Sequence, residues 1–223
     1  MKRAYFVTGT DTGVGKTTIS SALVHQFAAL GLRSVGMKPV ASGCILQDGV
    51  LLSEDVQQLK AASNLTLPLS DINPYAFEPA IAPHIAASQA GAEIELGVIQ
   101  AAYARLEAAA DVVIVEGVGG FRVPLNDTVD TADLAVALGL PVILVVGLRL
   151  GCINHALLTA EAIAARGLKL AGWIANRIDP AMSMQQENLQ ALSLRLQAPC
   201  LGVVPWVAAG DFTAIDTELV AQL

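Results

Sequence analysis

The chain has 223 residues, of which 54% are hydrophobic and 15% are charged, so it is too apolar to be disordered and long enough for one α/β domain over residues 1–223. Its formal net charge of −7 at pH 7 argues against a general attraction to nucleic acid, and an anionic ligand would have to be held by local groups. The longest uncharged apolar run, residues 134–148, is shorter than the roughly 20 residues of a membrane span, so no membrane partner is predicted.

The first predicted element is a β-strand at residues 4–7, which runs into a glycine-rich segment and then into a helix that ends near Gly31. A strand, a glycine-rich turn and a helix beginning with Gly-Lys-Thr are typical of a phosphate-binding P-loop. The common pattern has glycine six positions before the lysine, where this chain has Thr10, with Gly9 one step earlier. The flanking strand and helix still favour a P-loop over a chance glycine-rich turn.

The residue types of this segment suit a phosphate ligand. Gly13 and Gly15 allow successive backbone N–H groups to point inward, and the start of the following helix adds a positive dipole end. The Lys16 ammonium would reach the outer phosphates, and the Thr17 hydroxyl would ligate Mg²⁺. The predicted nucleotide-binding residues of this segment are Gly13, Val14, Gly15, Lys16, Thr17 and Thr18.

The next elements are a strand at residues 33–40, with Lys38 near its end, and a helix for which Ser53 is the predicted N-cap. Four prolines between residues 68 and 83 then predict a long irregular crossover. A helical period follows from Leu96 to Leu106. The remaining predicted strands cover residues 111–116, 141–146, 170–175 and 200–204, and the remaining helices cover residues 131–139, 154–166 and 185–196. This alternation predicts an α/β, single-domain P-loop NTPase fold, a mostly parallel sheet with helices on both faces.

Ligands of open α/β sheets bind beyond the carboxyl ends of the strands, which here carry several polar side chains. Glu116 ends a buried apolar strand and has the form of an acid that coordinates Mg²⁺, although an acid can also simply end a strand. Lys38 could stabilise a transferring phosphoryl group, although from these residues alone a solvated strand-end lysine is the slightly favoured interpretation. Asp55 has the position of a helix-start acid, and Thr12 and Ser42 alone would be turn hydroxyls.

The cysteines, Cys44, Cys152 and Cys200, lack the paired spacing of metal ligands, which favours reduced thiols. Residues 1–3 run straight into the first strand instead of into the apolar core of a signal peptide. A cytoplasmic location is therefore predicted.

Several segments together resemble the dethiobiotin synthetases, ATP-dependent ligases of biotin synthesis. They are residues 9–12, 14–17, 38–43, 73–75, 83–84, 115–120, 151–156, 172–176 and 205–206, and they span nearly the whole chain. The resemblance implies that a 7,8-diaminononanoate amine takes up CO₂, that ATP phosphorylates the resulting carbamate, and that the neighbouring amine closes the ring. It also implies ATP as co-substrate, Mg²⁺ as cofactor and a homodimer in which the partner subunit completes the active site.

The resemblance further implies roles for individual residues. Lys38 and Lys16 would be catalytic, and Thr17, Asp55 and Glu116 would bind Mg²⁺. The expected substrate contacts are Thr12, Ser42, Gly151, Cys152, Ile153 and Asn154, the last four from the partner subunit. The expected nucleotide contacts beyond the P-loop are Asp55, Glu116, Gly117, Val118, Gly119, Asn176, Arg177, Pro205, Trp206 and Val207. Gly13 and Arg177 stand where some relatives have acidic residues, which could alter nucleotide preference or the details of substrate binding.

Two other classes of protein share the P-loop signal. Partitioning and septum-placement ATPases act as dimeric switches and carry a second lysine five residues before the P-loop lysine, where this chain has Asp11. Other ATP-dependent amidoligases, of the cobyrinate type, normally need an added glutaminase domain, for which 223 residues are too few.

Overall fold

The computed structural model describes residues 2–208 and 210–223. The strands are β1 (Arg3–Gly9), β2 (Ser34–Met37), β3 (Val40–Ser42), β4 (Ile45–Gln47), β5 (Val50–Leu52), β6 (Tyr75–Phe77), β7 (Val112–Glu116), β8 (Val142–Gly147), β9 (Leu170–Asn176) and β10 (Cys200–Val204). The α-helices are α1 (Lys16–Ala29), α2 (Glu54–Ala62), α3 (Leu69–Ile72), α4 (Pro83–Gln89), α5 (Leu96–Ala109), α6 (Thr131–Leu138), α7 (Cys152–Ala165) and α8 (Gln185–Arg195), and a short 3₁₀-helix covers Phe212–Ala214.

Six strands form the central sheet in the order β10-β9-β8-β1-β7-β2, and every neighbouring pair is parallel. Because the strands are parallel, their carboxyl ends meet at one edge, where the loops after β1, β7, β8 and β9 lie side by side. Two small two-stranded sheets, β3 with β6 and β4 with β5, lie outside it.

Helices cover both faces of the sheet, which explains why the central strands are apolar on both sides. On one face, Val7 and Ile114 pack with α1 residues such as Phe27. On the other face, Phe6 packs with residues of α5 and α6, and Trp173 packs with α7 and α8. At about 25 cal/mol per Å² of buried apolar surface, these two layers supply the main driving force for folding. The predicted fold class is confirmed.

The predicted second strand at residues 33–40 is too long. β2 ends at Met37, because Pro39 has no N–H and the Lys38 N–H donates to the Ile72 carbonyl, outside the sheet, at 2.8 Å. Val40 begins β3, which pairs with β6 instead. The chain therefore turns away from the sheet at Lys38.

The proline-rich segment is more regular than the sequence indicates. The prediction of an irregular crossover is wrong in part, because α3 and β6 lie within it and Pro83 occupies the first position of α4, which suits its fixed φ. The β4–β5 hairpin was not predicted, although its turn has a recognisable signal. Asp48 and Gly49 adopt φ values of 50° and 80°, as a two-residue hairpin turn requires.

Helix α7 begins at Cys152, two residues before its predicted start, because Gly151 with φ of 95° serves as its N-cap. The strand predicted at residues 200–204 matches β10. In the part of the chain that the structure describes, none of the helices has the length and apolar character needed to cross a membrane.

Candidate active site

The P-loop connects β1 to α1 and depends on two left-handed glycines. Gly13 and Gly15 have φ values of 74° and 86°, and a Cβ added at Gly15 would lie 2.1 Å from the Asn176 amide nitrogen. That amide donates to the Val14 carbonyl at 2.9 Å, so β9 fixes the centre of the loop. No described side chain caps the start of α1, so its first N–H groups are oriented for an anion.

Lys16 points back over the loop. Its side chain is buried, and Nζ donates to the Asp11 carbonyl at 3.0 Å. Burial, and then repulsion from Lys38, lower the pKa of Lys16 to about 8. The negative charge of an arriving phosphate would oppose both effects and favour the charged form, so this lysine is poised to bind an anion.

Lys38 lies at the centre of a group of charged and polar side chains, which we call the Lys38 cluster: Thr17, Lys38, Asp55 and Glu116. Lys38 and Glu116 are buried, whereas Thr17 and Asp55 are partly exposed. Lys38 Nζ lies 2.6 Å from Glu116 Oε1 and 2.7 Å from Asp55 Oδ2, and it also donates to the Gly117 carbonyl at 3.2 Å. The Thr17 hydroxyl donates to the same Glu116 oxygen at 2.8 Å. Residues from α1, β7, the start of α2 and the end of β2 thus converge beside the P-loop.

The charges of this cluster support one another. Burial alone would lower the pKa of Lys38, but the Glu116 and Asp55 carboxylates outweigh it and raise this pKa to about 12. Burial raises the pKa of Glu116, whereas Lys38 holds the pKa of Asp55 below its usual value against the effect of burial. Lys38 is therefore a permanent cation at neutral pH.

The same cluster has the donor atoms that Mg²⁺ prefers. Glu116 Oε2 is buried and has no hydrogen-bond partner among the described residues, and Thr17 and Asp55 add further oxygens. Within residues 2–208 and 210–223, no group of three His, Cys, Asp or Glu residues is arranged to hold a metal ion. Two carboxylates, a hydroxyl and phosphate oxygens are the usual surroundings of a nucleotide-bound Mg²⁺, so the residues fit that ion.

The turn after β7 lies against the P-loop. Gly117 packs so closely on Phe6 that an added Cβ would lie 3.1 Å from its ring, and Gly119 has φ of 61°. A Cβ at Gly119 would lie 3.6 Å from the Thr12 hydroxyl, which places Thr12 beside this turn, while Val118 packs on the core.

Ser42 ends β3, and its hydroxyl is buried with no hydrogen-bond partner among the described residues.

The segment from Gly151 to Asn154 begins α7. No described side chain caps this helix start either, so its N–H groups could receive a carboxylate. The Cys152 side chain is buried, and only its main chain is available to a ligand, whereas Asn154 is exposed and Ile153 is partly exposed.

The structure separates two residues that the sequence places together. Asn176 lies at the P-loop, but the side chain of its neighbour Arg177 lines a different cavity of about 620 Å³, between α8 and the sheet, with Trp173 and Cys200. Successive residues of a strand point to opposite faces, which explains the separation. Pro205 and Trp206 lie exposed beyond β10, and Val207 packs partly against the core.

Two further residues near the site make contacts that the sequence does not predict. The Asn73 amide donates to the Lys38 carbonyl at 2.7 Å and to the Tyr75 carbonyl at 2.9 Å, so it fixes the backbone at Lys38. Arg149, in the loop after β8, forms an ion pair with Asp11 of the P-loop. Only the position of Arg149 just beyond a strand end could have indicated its involvement.

Comparison of the sequence with known proteins finds relatives that match over nearly the whole chain. A family model described as "AAA domain" matches residues 3–211. The chain is 61% identical over 217 residues to "ATP-dependent dethiobiotin synthetase BioD" of Aromatoleum aromaticum, with 97% of this chain and 96% of that protein covered. It is 59% identical over 206 residues to the protein of the same name from Nitrosospira multiformis, with 92% and 89% covered.

Solved structures with this fold belong to more distant proteins. The MinC:MinD cell division protein complex of Aquifex aeolicus matches with a TM-score of 0.58 and 17% identity, covering 95% of this chain and 85% of that chain. A ParA family ATPase from Chlorobium tepidum matches with a TM-score of 0.54 and 14% identity, covering 92% and 84%. At such low identity these likenesses establish the shared P-loop fold and nothing about activity.

Proposed function

The chain belongs to the dethiobiotin synthetase family, and from this premise we propose that the Lys38 cluster and the P-loop form the active centre of an ATP-dependent cyclo-ligase. The enzyme converts 7,8-diaminononanoate and CO₂ into dethiobiotin, and ATP is converted to ADP and phosphate in the same reaction. The observation that carries the site assignment is the buried Lys38 ammonium, held between Glu116 and Asp55 beside the P-loop.

The chemistry proceeds in three bond-forming steps. One substrate amine attacks CO₂ and loses a proton, which gives a carbamate. A carbamate oxygen then attacks the γ-phosphorus of ATP and displaces ADP, which forms a carbamic–phosphoric anhydride. Finally the neighbouring amine attacks the carbonyl carbon, displaces phosphate and loses a proton, which closes the cyclic urea.

The protein's task in this chemistry is to position two anions against each other. Carbamate and triphosphate repel, so bringing their reacting atoms within bonding distance requires fixed positive charge. Lys16 and the P-loop N–H groups would hold the β- and γ-phosphates. Lys38, whose pKa of about 12 keeps it protonated, would stabilise the carbamate and the transferring phosphoryl group.

Thr17, Asp55 and Glu116 would hold the magnesium ion that accompanies ATP. When bound, Mg²⁺ supplies charge neutralisation at the phosphate oxygens. The unpartnered Glu116 Oε2 supports this assignment, because a buried carboxylate oxygen without a donor is costly to leave unsatisfied.

The substrate would lie between the P-loop of one subunit and the α7 turn of its partner. Thr12 and Ser42 are the proposed contacts of the amines and the carbamate, and the N–H groups from Gly151 to Asn154 are the proposed contacts of the substrate carboxylate. Asn176, with Pro205, Trp206 and Val207, is proposed to surround the adenine. The Arg177 side chain is directed away from this region, so any role there would involve its main chain.

We also propose a homodimer in which the α7 turn of each subunit completes the partner's site. Leu150, in that turn, is 95% exposed. Leu158, about two helical turns further along α7, is 56% exposed. An apolar surface of this kind is typical of an interface. Cys44, Cys152 and Cys200 are free thiols, which supports a reducing compartment such as the cytoplasm.

The decisive experiment incubates the purified protein with Mg²⁺–ATP, bicarbonate and 7,8-diaminononanoate, and follows phosphate release together with the ureido product by mass. We expect phosphate release to depend on the diamine and to match product formation one to one. Slow phosphate release that is indifferent to the diamine would reject the ligase assignment and would favour a nucleotide-dependent switch.

A further inference from the structure

Arg149 and Asp11 form an ion pair between two loops at the same edge of the sheet. β1 and β8 are parallel neighbours with Gly9 opposite Val145, and the Thr10 N–H donates to the Val145 carbonyl at 3.0 Å. The P-loop and the α7 turn therefore leave the sheet side by side.

Asp11 links this ion pair to the phosphate-binding lysine. Its Oδ2 contacts Arg149, its Oδ1 accepts the Thr12 N–H at 2.7 Å, and its carbonyl accepts Lys16 Nζ at 3.0 Å. The Thr12 N–H, aided by the Arg149 guanidinium, lowers the pKa of Asp11, so the carboxylate is ionised at neutral pH. A side chain held at two points fixes the peptide whose carbonyl orients Lys16.

Arg149 is at the same time part of the α7 turn. Its carbonyl accepts the Cys152 N–H at 3.0 Å, and Gly151 with φ of 95° completes the turn. One residue thus contacts the P-loop through its side chain and the start of α7 through its main chain.

Folding stability alone does not explain the pair. The two side chains are 40% and 47% exposed, and exposed ion pairs contribute little to the free energy of unfolding. A comparable pair, Arg33 with Asp111, lies just before β2 and β7, at the opposite edge of the sheet. It offers a matched control, because it has similar chemistry and exposure but is remote from the site.

We propose that Arg149 is a positioning residue that couples the α7 turn to the P-loop by holding Asp11, and through it Lys16, in place for ATP. The proposal rests on the proposed function only where that function assigns the α7 turn to the substrate carboxylate in the partner's active site. Its nucleotide part depends on the P-loop contacts alone.

The test is a double-mutant cycle on nucleotide affinity. Wild type, Arg149→Ala, Asp11→Asn and the double variant are titrated with a non-hydrolysable ATP analogue and Mg²⁺ by calorimetry, and Tm is recorded for each. We expect each single substitution to raise Kd at least about threefold. The Kd of the double variant should be no higher than the higher of the two single-variant values, because both substitutions remove the same contact. Arg149→Lys should recover part of the affinity, and Arg33→Ala should leave Kd unchanged.

Three results would overturn the proposal. They are an unchanged Kd in both single variants, a fold-increase in Kd of the double variant that equals the product of the two single fold-increases, and a raised Kd in Arg149→Ala with an unchanged Kd in Asp11→Asn. The last would mean that Arg149 contacts the nucleotide directly. If Arg149→Ala lowers Tm substantially, Arg149→Gln repeats the measurement with a side chain of similar length.

Steady-state kinetics then test the coupling to substrate. In Arg149→Ala the KM for 7,8-diaminononanoate should rise together with that for ATP, whereas Arg33→Ala should change neither; an unchanged diamine KM would overturn the coupling. If the wild type forms no dethiobiotin, the proposed function fails, but the nucleotide cycle still tests whether Arg149 positions the P-loop.

Discussion

Lys38 Nζ lies 2.6 Å from Glu116 Oε1, and both side chains are almost completely buried. Asp55 supplies a second carboxylate to the same ammonium at 2.7 Å. Taking one partner out of a buried ion pair leaves the other charge uncompensated, which is more costly than the pair itself is stabilising. Lys38 therefore has a structural role besides its proposed chemical one, and any test must separate the two.

Lys38→Met should abolish formation of dethiobiotin while ATP binding remains measurable, because the P-loop is left intact and only the reacting centre loses its cation. Tm should fall, since Glu116 loses its counter-charge. The expected decrease in the free energy of unfolding is about 3 kcal/mol. Product formation, calorimetric ATP binding and thermal unfolding measure the three effects, with binding recorded well below the variant's Tm. Lys60→Met, at an exposed position in the last turn of α2, is the matched control. Undiminished turnover by Lys38→Met would reject the catalytic role.

The lowered pKa of Lys16 predicts a pH dependence of nucleotide affinity. In the free protein this pKa is about 8, and bound phosphate would raise it, so the gain in affinity from the ammonium is complete below about pH 8 and decreases as pH rises above it. ATP-analogue titrations between about pH 7 and about pH 9.5, which span the pKa of Lys16, should show weaker binding at the alkaline end. Lys16→Arg, which stays charged throughout, should bind with an affinity that is flat over this range. An equal slope in both proteins would show that Lys16 is not the titrating group.

Several parts of this site follow from the sequence by general rules. The strand-end rule placed Lys38 and Glu116 at one edge of the sheet, and the P-loop spacing placed Thr17 beside them. Asp55 is different: by general rules it has the position of an ordinary helix-start acid, and only the resemblance to the dethiobiotin synthetases predicts it as a Mg²⁺ ligand. Only the turn of the chain out of the sheet at Pro39, followed by two small sheets, brings the start of α2 back to Lys38.

The features that sequence reasoning missed are mostly tertiary contacts. The Arg149–Asp11 ion pair joins positions 138 residues apart, and neither residue has a neighbour in sequence that indicates the other. Likewise, the composition predicts that β2 continues to Val40, and the hydrogen bond from the Lys38 N–H to the Ile72 carbonyl helps to explain why it stops at Met37. The β4–β5 hairpin is the exception, because Asp48-Gly49 is itself a local sequence signal for a two-residue hairpin turn.

Asn176→Ala should weaken nucleotide binding by loosening the P-loop. The lost hydrogen bond leaves the Val14 carbonyl without its amide donor, which costs about 1–3 kcal/mol. Binding of tripolyphosphate and of an ATP analogue separates the two possible roles of this amide. We expect both ligands to bind more weakly, and ATP to lose more because Asn176 is also the proposed adenine contact. Gln100→Ala, which removes an exposed amide on α5 that donates to the Ala137 carbonyl at 2.9 Å, is the control. Unchanged tripolyphosphate binding would show that the amide does not support the loop.

Leu150→Glu should dissociate the proposed homodimer and reduce turnover, because it puts a charge at the most exposed large apolar side chain of the α7 turn. If the turn of one subunit completes the site of its partner, the KM for 7,8-diaminononanoate should rise, while ATP binding to the P-loop of the monomer should persist. Light scattering gives the oligomeric state, and calorimetry with an ATP analogue gives the affinity. Leu194→Glu is the matched control, since Leu194 is 75% exposed near the end of α8, away from the α7 turn. A Leu150→Glu protein that remains dimeric would remove this face from the interface. One that is monomeric but retains the wild-type KM for the diamine would show that each subunit contains a complete active site.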